Sequence, residues 1–199
     1  MSVSPDSDVV DHLAGVEPGS SFHQIRARRA QARENAQKSY LALFQPSDFG
    51  TFPARERWAV AAFAAGLHRE PIATELYASK LRSSEPELGG IIDCEAGRGV
   101  TVGPFGHYPA GPLSGEDKPG LIYRVEDGHR SLLGERLSAG LEHTHLLVFH
   151  PRDAGQEDLN ALHQAGWSST DIVTLSQLVA FLTFQIRVGA GLRALAASR

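Results

Sequence analysis

The densest group of titratable side chains lies in GLEHTHLLVFHPRDA, where Glu142, His143, His145 and His150 fall close together. On an ideal helix Glu142 and His145 stand three apart on one face, and His143 and His150 seven apart on another. An imidazole titrating near neutrality beside a carboxylate is the smallest general acid–base pair, which makes Glu142 with His145 a candidate catalytic pair. A metal centre asks for three or four converging ligands. One ExxH turn supplies two, and HExxH is absent. Histidines also gather at helix C-termini, where the cationic ring meets the dipole, and that alone accounts for His150. Neither a metal nor a cofactor is expected.

Glu70 stands immediately before Pro71. It is either a general base, if burial raises its pKa, or an acid that favours the start of the next helix. His68 carries the same two readings and completes the candidate set Glu70, Glu142, His145 and His68. Cys94 is the single cysteine, so an intramolecular disulfide and a CxxC redox pair are both excluded. Its neighbours Asp93 and Glu95 oppose formation of a thiolate.

The elements that must position these groups read as helices throughout. Gln156 to Ala197 gives a short helix, a turn at Gly166, a capping-box-like Ser168 and Asp171, and a long helix apolar on several sides. Gln177, Gln185 and Arg187 interrupt it too often for a membrane span. Phe22 to Phe44 predicts one amphipathic helix. Its Arg26, Arg28, Arg29, Arg33 and Lys38 form either a solvated face or a site for an anionic ligand or acidic partner. Ala54 to Leu81 predicts a helix kinked or broken at Pro71. A short helix follows from Glu85 to Glu95, and another from Val125 to His150 with Asp127 as N-cap and a buried stripe from Leu132 to Phe149. Between them residues 97–120 are crowded with Gly and Pro, which excludes regular structure and points to a lid or intersubunit arm.

The run AGWSSTDIVTLSQLVAFLTFQIRVGAGL resembles the closing helix pair of the alkylhydroperoxidase D and carboxymuconolactone decarboxylase superfamily, in particular its peroxidase-related branch. The resemblance implies an all-α bundle of about seven helices and frequent homo-oligomers. It also implies a catalytic helix with a relay Glu, a CxxC and a relay His. Laid on that pattern, Glu70 and Ala73 occupy the cysteine positions, Trp58 the Glu position, and Leu76 or Tyr77 the His position. None of these roles is filled by the expected residue. The resemblance thus leaves a non-thiol acid–base enzyme acting on a small organic acid or lactone, a catalytically silent subunit, or a residual peroxidase-type activity through Cys94. The silent subunit would bind a ligand or pair with an alkylhydroperoxidase-like paralogue.

With 199 residues, 42% of them hydrophobic, the chain can bury one core: a partly ordered arm over residues 1–21 and a helical domain over 22–199. A net charge of -4 offers no field for nucleic acid or an anionic membrane. The N-terminus has no basic segment followed by an apolar one, so a cytoplasmic protein is expected.

Overall fold

A computed structural model describes residues 8–198, and the fold is all-α. Residues 1–7 of the expected arm lie outside the described residues. The rest of the arm begins with α1 (Val9–Ala14), capped by the Asp8 carboxylate on the Asp11 N–H at 2.9 Å and closed by left-handed Gly15. Six residues are too few for a helix to persist alone, so burial holds it. Val9, Val10 and Leu13 are fully enclosed against α9.

The helix expected from Phe22 to Phe44 is two: α2 (Ser21–Ala27) and α3 (Ala30–Phe44), with Arg29 out of helical geometry between them. Residues on both sides of the break pair with carboxylates at the start of α1. Arg26 reaches Asp8 at 2.7 Å and Arg33 reaches Asp11 at 2.6 Å. Part of the basic face is therefore consumed within the chain by its own N-terminal carboxylates.

α4 (Ala54–Leu67) and α5 (Pro71–Ser84) separate just before Pro71, as its missing N–H and fixed φ require. α4 is enclosed almost all round, with Ala59 to Ala65 buried, and it packs on α5, α6, α7 and α9. α6 (Pro86–Gly99) runs one turn beyond the expected Glu95. It approaches α4 so closely that a Cβ at Gly66 would stand 2.7 Å from the Ala96 Cβ.

The Gly/Pro-rich loop carries only a short 3-10 turn, Pro112–Glu116, and a bridge between Gly106 and Lys118. It leads into α7 (Asp127–Phe149), which is capped by Glu126 rather than Asp127. Gly134 (φ 80°, ψ 161°) interrupts α7. Leu132, expected in the buried stripe, lies before this interruption and is 69% exposed, while Leu133, Leu137 and Leu141 are buried. α8 (Gln156–Gln164) and α9 (Ser169–Ala197) meet at left-handed Gly166, with Ser168 capping the Asp171 N–H at 3.1 Å. Trp167 seals this corner: its indole N–H donates to the Arg136 carbonyl at 2.8 Å and the Arg136 guanidinium covers its ring.

α9 is long and apolar enough, by length and composition alone, to cross a membrane. Its inner faces meet α1, α3, α4, α7 and α8, so a core role accounts for much of that character. Val173, Phe184 and Leu195 remain exposed on its outer side.

Candidate functional site

A cleft of about 550 Å³ opens between the end of the loop, the second half of α7 and the start of α8. Glu142, His143, His145 and His150 all line it, so the fold gathers the cluster that an ideal helix splits between faces. The expected pairing of Glu142 with His145 is not formed. The Glu142 carboxylate instead accepts the Val125 N–H at 3.1 Å and a bond from the Arg130 guanidinium, with Arg124 at 3.7 Å. Two arginines, whose charge is permanent, together with a backbone donor outcompete an imidazole for it.

His145 is 2% exposed, and its Nε2 lies 2.9 Å from the Gly99 carbonyl. A carbonyl oxygen only accepts, so Nε2 carries the proton and Nδ1 keeps its lone pair. Burial lowers the His145 pKa to about 4; the Gly99 bond opposes this shift and the charge of His150 adds to it. The ring is held in place by Tyr123, stacked on it at 5.0 Å between centroids.

His143 is 6% exposed, and its Nδ1 is buried without a hydrogen-bond partner. Burial lowers its pKa too, against the pull of Asp158. An unpaired N–H would be costlier there than an unpaired lone pair, which favours the tautomer protonated at Nε2. His150 does more than face a helix end. Its Nδ1 stands 3.0 Å from Asp153 Oδ2 and its Nε2 3.0 Å from the Leu121 carbonyl.

Behind the cleft sits a further carboxylate, outside the candidate set Glu70, Glu142, His145 and His68. Glu95 is wholly buried and accepts the Tyr123 hydroxyl at 2.5 Å, His129 Nδ1 at 2.5 Å, Arg98 at 2.7 Å and the Glu126 N–H at 3.3 Å. Burial pushes its pKa up, but the bonds from Tyr123, His129, Glu126 and Arg98 outweigh that and hold it below the ordinary carboxylate value. Burial and the adjacent Glu95 together drive the Tyr123 hydroxyl far above its usual value. A signal existed: Leu88, Ile92, Glu95, Ala96 and Gly99 recur at helical spacing, which puts Glu95 on the buried face of α6. Glu95, Glu126 and His129 bring ligand atoms within 4.8 Å of one another. With Arg98 among its four donors, however, Glu95 forms an anchored hydrogen-bond centre rather than a free ligand set.

Glu70 and His68 lie away from this cleft. One Glu70 oxygen caps the Ala73 N–H at 2.8 Å, and the other pairs with Arg193 of α9, which also donates to the Leu13 carbonyl. Glu70 is thus the acid at a helix start. His68 Nε2 meets the Thr183 hydroxyl at 3.2 Å; burial, then the nearby Arg187 charge, lowers its pKa to about 4. On the same side of the bundle, Phe44 stacks on Trp58 at 4.4 Å and touches Tyr77 at 5.5 Å, and the Tyr77 hydroxyl bonds with buried Gln185. Cys94 is exposed on α6.

Comparison of the chain with protein-family models and with curated proteins gave no match.

Proposed function

We propose that this protein is a cofactor-free, non-thiol acid–base enzyme of the alkylhydroperoxidase D and carboxymuconolactone decarboxylase type, acting on a small molecule in the α7–α8 cleft. The observation that carries the reading is His145: Gly99 fixes its tautomer, Tyr123 fixes its plane, and burial keeps it neutral, so Nδ1 is a positioned proton acceptor. His143, which lines the same cleft, supplies a neutral N–H to polarise a carbonyl. Of the two substrate classes, a lactone fits better than a free organic acid. Glu142, Asp153, Glu157 and Asp158 line the cleft against Arg124 as the lining arginine, which disfavours an anionic ligand.

The test is ring opening of δ-valerolactone and related small lactones followed by pH-stat. Turnover is expected in the wild type, with a loss of about 100-fold in His145→Ala, the usual weight of a general base. Absence of turnover across the series in the wild type overturns the enzyme reading.

A second reading, a silent subunit that binds a ligand or pairs with an alkylhydroperoxidase-like paralogue, is favoured by one observation. Phe44, Trp58 and Tyr77 fill the region where the resembled family would place its relay groups. Lactones that raise Tm without being turned over would support it.

We also infer a cytoplasmic homo-oligomer without nucleic-acid or membrane partners. The exposed Val173, Phe184 and Leu195 on α9 support the assembly, and a net charge of -4 supports the exclusion of nucleic acid. Light scattering at micromolar concentration tests the assembly, and a clean monomer overturns it.

A further inference from the structure

Besides the backbone bond from the Phe105 N–H to the Phe149 carbonyl at 2.6 Å, the loop over residues 101–122 is held down through side chains at two places of different chemistry. Its far end is anchored through Tyr123 to the buried Glu95 carboxylate, a bond between groups that stay neutral and ionised respectively across the physiological range. Its near end converges on a single side chain, Asp153, in the turn between α7 and α8. The His107 N–H donates to Asp153 Oδ1 at 2.9 Å, and the His107 ring stands 3.5 Å from the same oxygen. Gly106 passes so close that a Cβ there would lie 2.8 Å from Asp153 Oδ1. The other oxygen, Oδ2, faces His150 Nδ1, while His150 Nε2 faces the Leu121 carbonyl at the cleft edge.

His150 therefore stands between two atoms that only accept. With both ring nitrogens protonated, each contact is a hydrogen bond, one of them charge-assisted. Removing one proton turns one of the two into a lone pair facing an oxygen, whichever tautomer forms. Either the Asp153 contact or the Leu121 contact is lost. The surroundings do not replace it: Phe105 packs on the His150 ring at 5.1 Å, and the neutral His145 ring lies 6.5 Å away. The nearby cations, Lys118 over Phe105 and Arg152 over Tyr108, are engaged with those rings. Asp117 accepts the Tyr108 N–H within the loop.

We propose that His150, Asp153 and His107 form a protonation-dependent latch that holds residues 101–122 down beside the cleft, closed when His150 is charged and loosened when it is neutral. Leu121 and Ile122 are both loop and cleft wall, so loosening the latch widens the entrance while the Tyr123–Glu95 anchor keeps the base of the loop in place. The latch depends on the loop geometry alone and stands whether the cleft belongs to an enzyme or to a binding subunit.

Hydrogen exchange read by mass spectrometry on the full chain, corrected for intrinsic rates, tests it at about pH 6 and about pH 8. Protection of residues 101–122 is expected to fall by about tenfold at the higher pH, the weight of one charge-assisted hydrogen bond. Protection in α4 should stay constant. In Asp153→Asn the amide oxygen keeps the His107 N–H while the amide N–H donates to a neutral ring, so protection should no longer fall at the higher pH. His150→Gln combined with His107→Gln, which removes both imidazoles that face Asp153 and keeps the backbone N–H of residue 107, should also abolish the pH dependence and covers the case in which the Asn variant fails to fold. Equal protection of the wild-type loop at both pH values overturns the latch. So does a fall in protection at the higher pH that survives in the folded variants, or one shared in parallel by α4.

Discussion

Glu70 and Arg193 lie 123 positions apart and close the same corner of the bundle: the carboxylate that caps α5 is also the partner of the arginine that holds the C-terminus of α1. Glu70→Ala removes a helix cap and leaves Arg193 without its carboxylate. A loss of about 1–3 kcal/mol in urea unfolding is expected. Loss of turnover in Glu70→Gln with unchanged stability would instead return Glu70 to the catalytic set.

Tyr123→Phe leaves the buried Glu95 short of its hydroxyl donor, and stability should drop by about 1–3 kcal/mol. The pH dependence has two arms. The folded-state pKa of Glu95 is depressed, so its contribution is present above the unfolded carboxylate value and fades as pH falls through the lower folded value. The folded-state pKa of Tyr123 is raised, so its contribution is present below the unfolded phenol value and fades as pH rises beyond it. Chemical denaturation across pH should show both arms shrinking in Tyr123→Phe.

Nitrogen NMR of the histidine rings checks the base. At about pH 6 His145 should appear neutral, with its proton on Nε2, and should begin to protonate only near its lowered value of about 4. Because that folded value lies below the unfolded one, the stability that His145 contributes is present above the ordinary imidazole pKa and is lost as pH falls toward 4. A His145 ring charged at neutral pH would remove the basis for its role as proton acceptor.

Cys94 is exposed and unpaired, so Cys94→Ala should change stability by no more than about 0.5 kcal/mol. In a dithiol-coupled assay with cumene hydroperoxide neither protein should turn over. Activity in the wild type that vanishes in the variant would make Cys94 a nucleophile.

The sequence alone determined the all-α class, the break before Pro71, the irregular loop and the Gly166–Ser168 corner, because each rests on local backbone chemistry: a missing N–H, a left-handed turn, a side-chain cap. It also excluded a thiol pair, since chemistry that needs two cysteines fails on a count. The break between α2 and α3 was not legible, because the ion pairs that flank it, from Arg26 and Arg33 to Asp8 and Asp11, leave no mark in periodicity. The site divided the same way. Residue types marked out Glu142, His143, His145 and His150, but only the tertiary structure decided their partners. Glu142 went to Arg130, and His145 to the Gly99 carbonyl on another helix. The buried Glu95 was decided there too, since its donors Tyr123, Glu126 and His129 come from beyond the loop and meet it only when α6 and α7 pack. Local rules act over one helical turn, whereas a hydrogen bond across the core is set by which elements pack together.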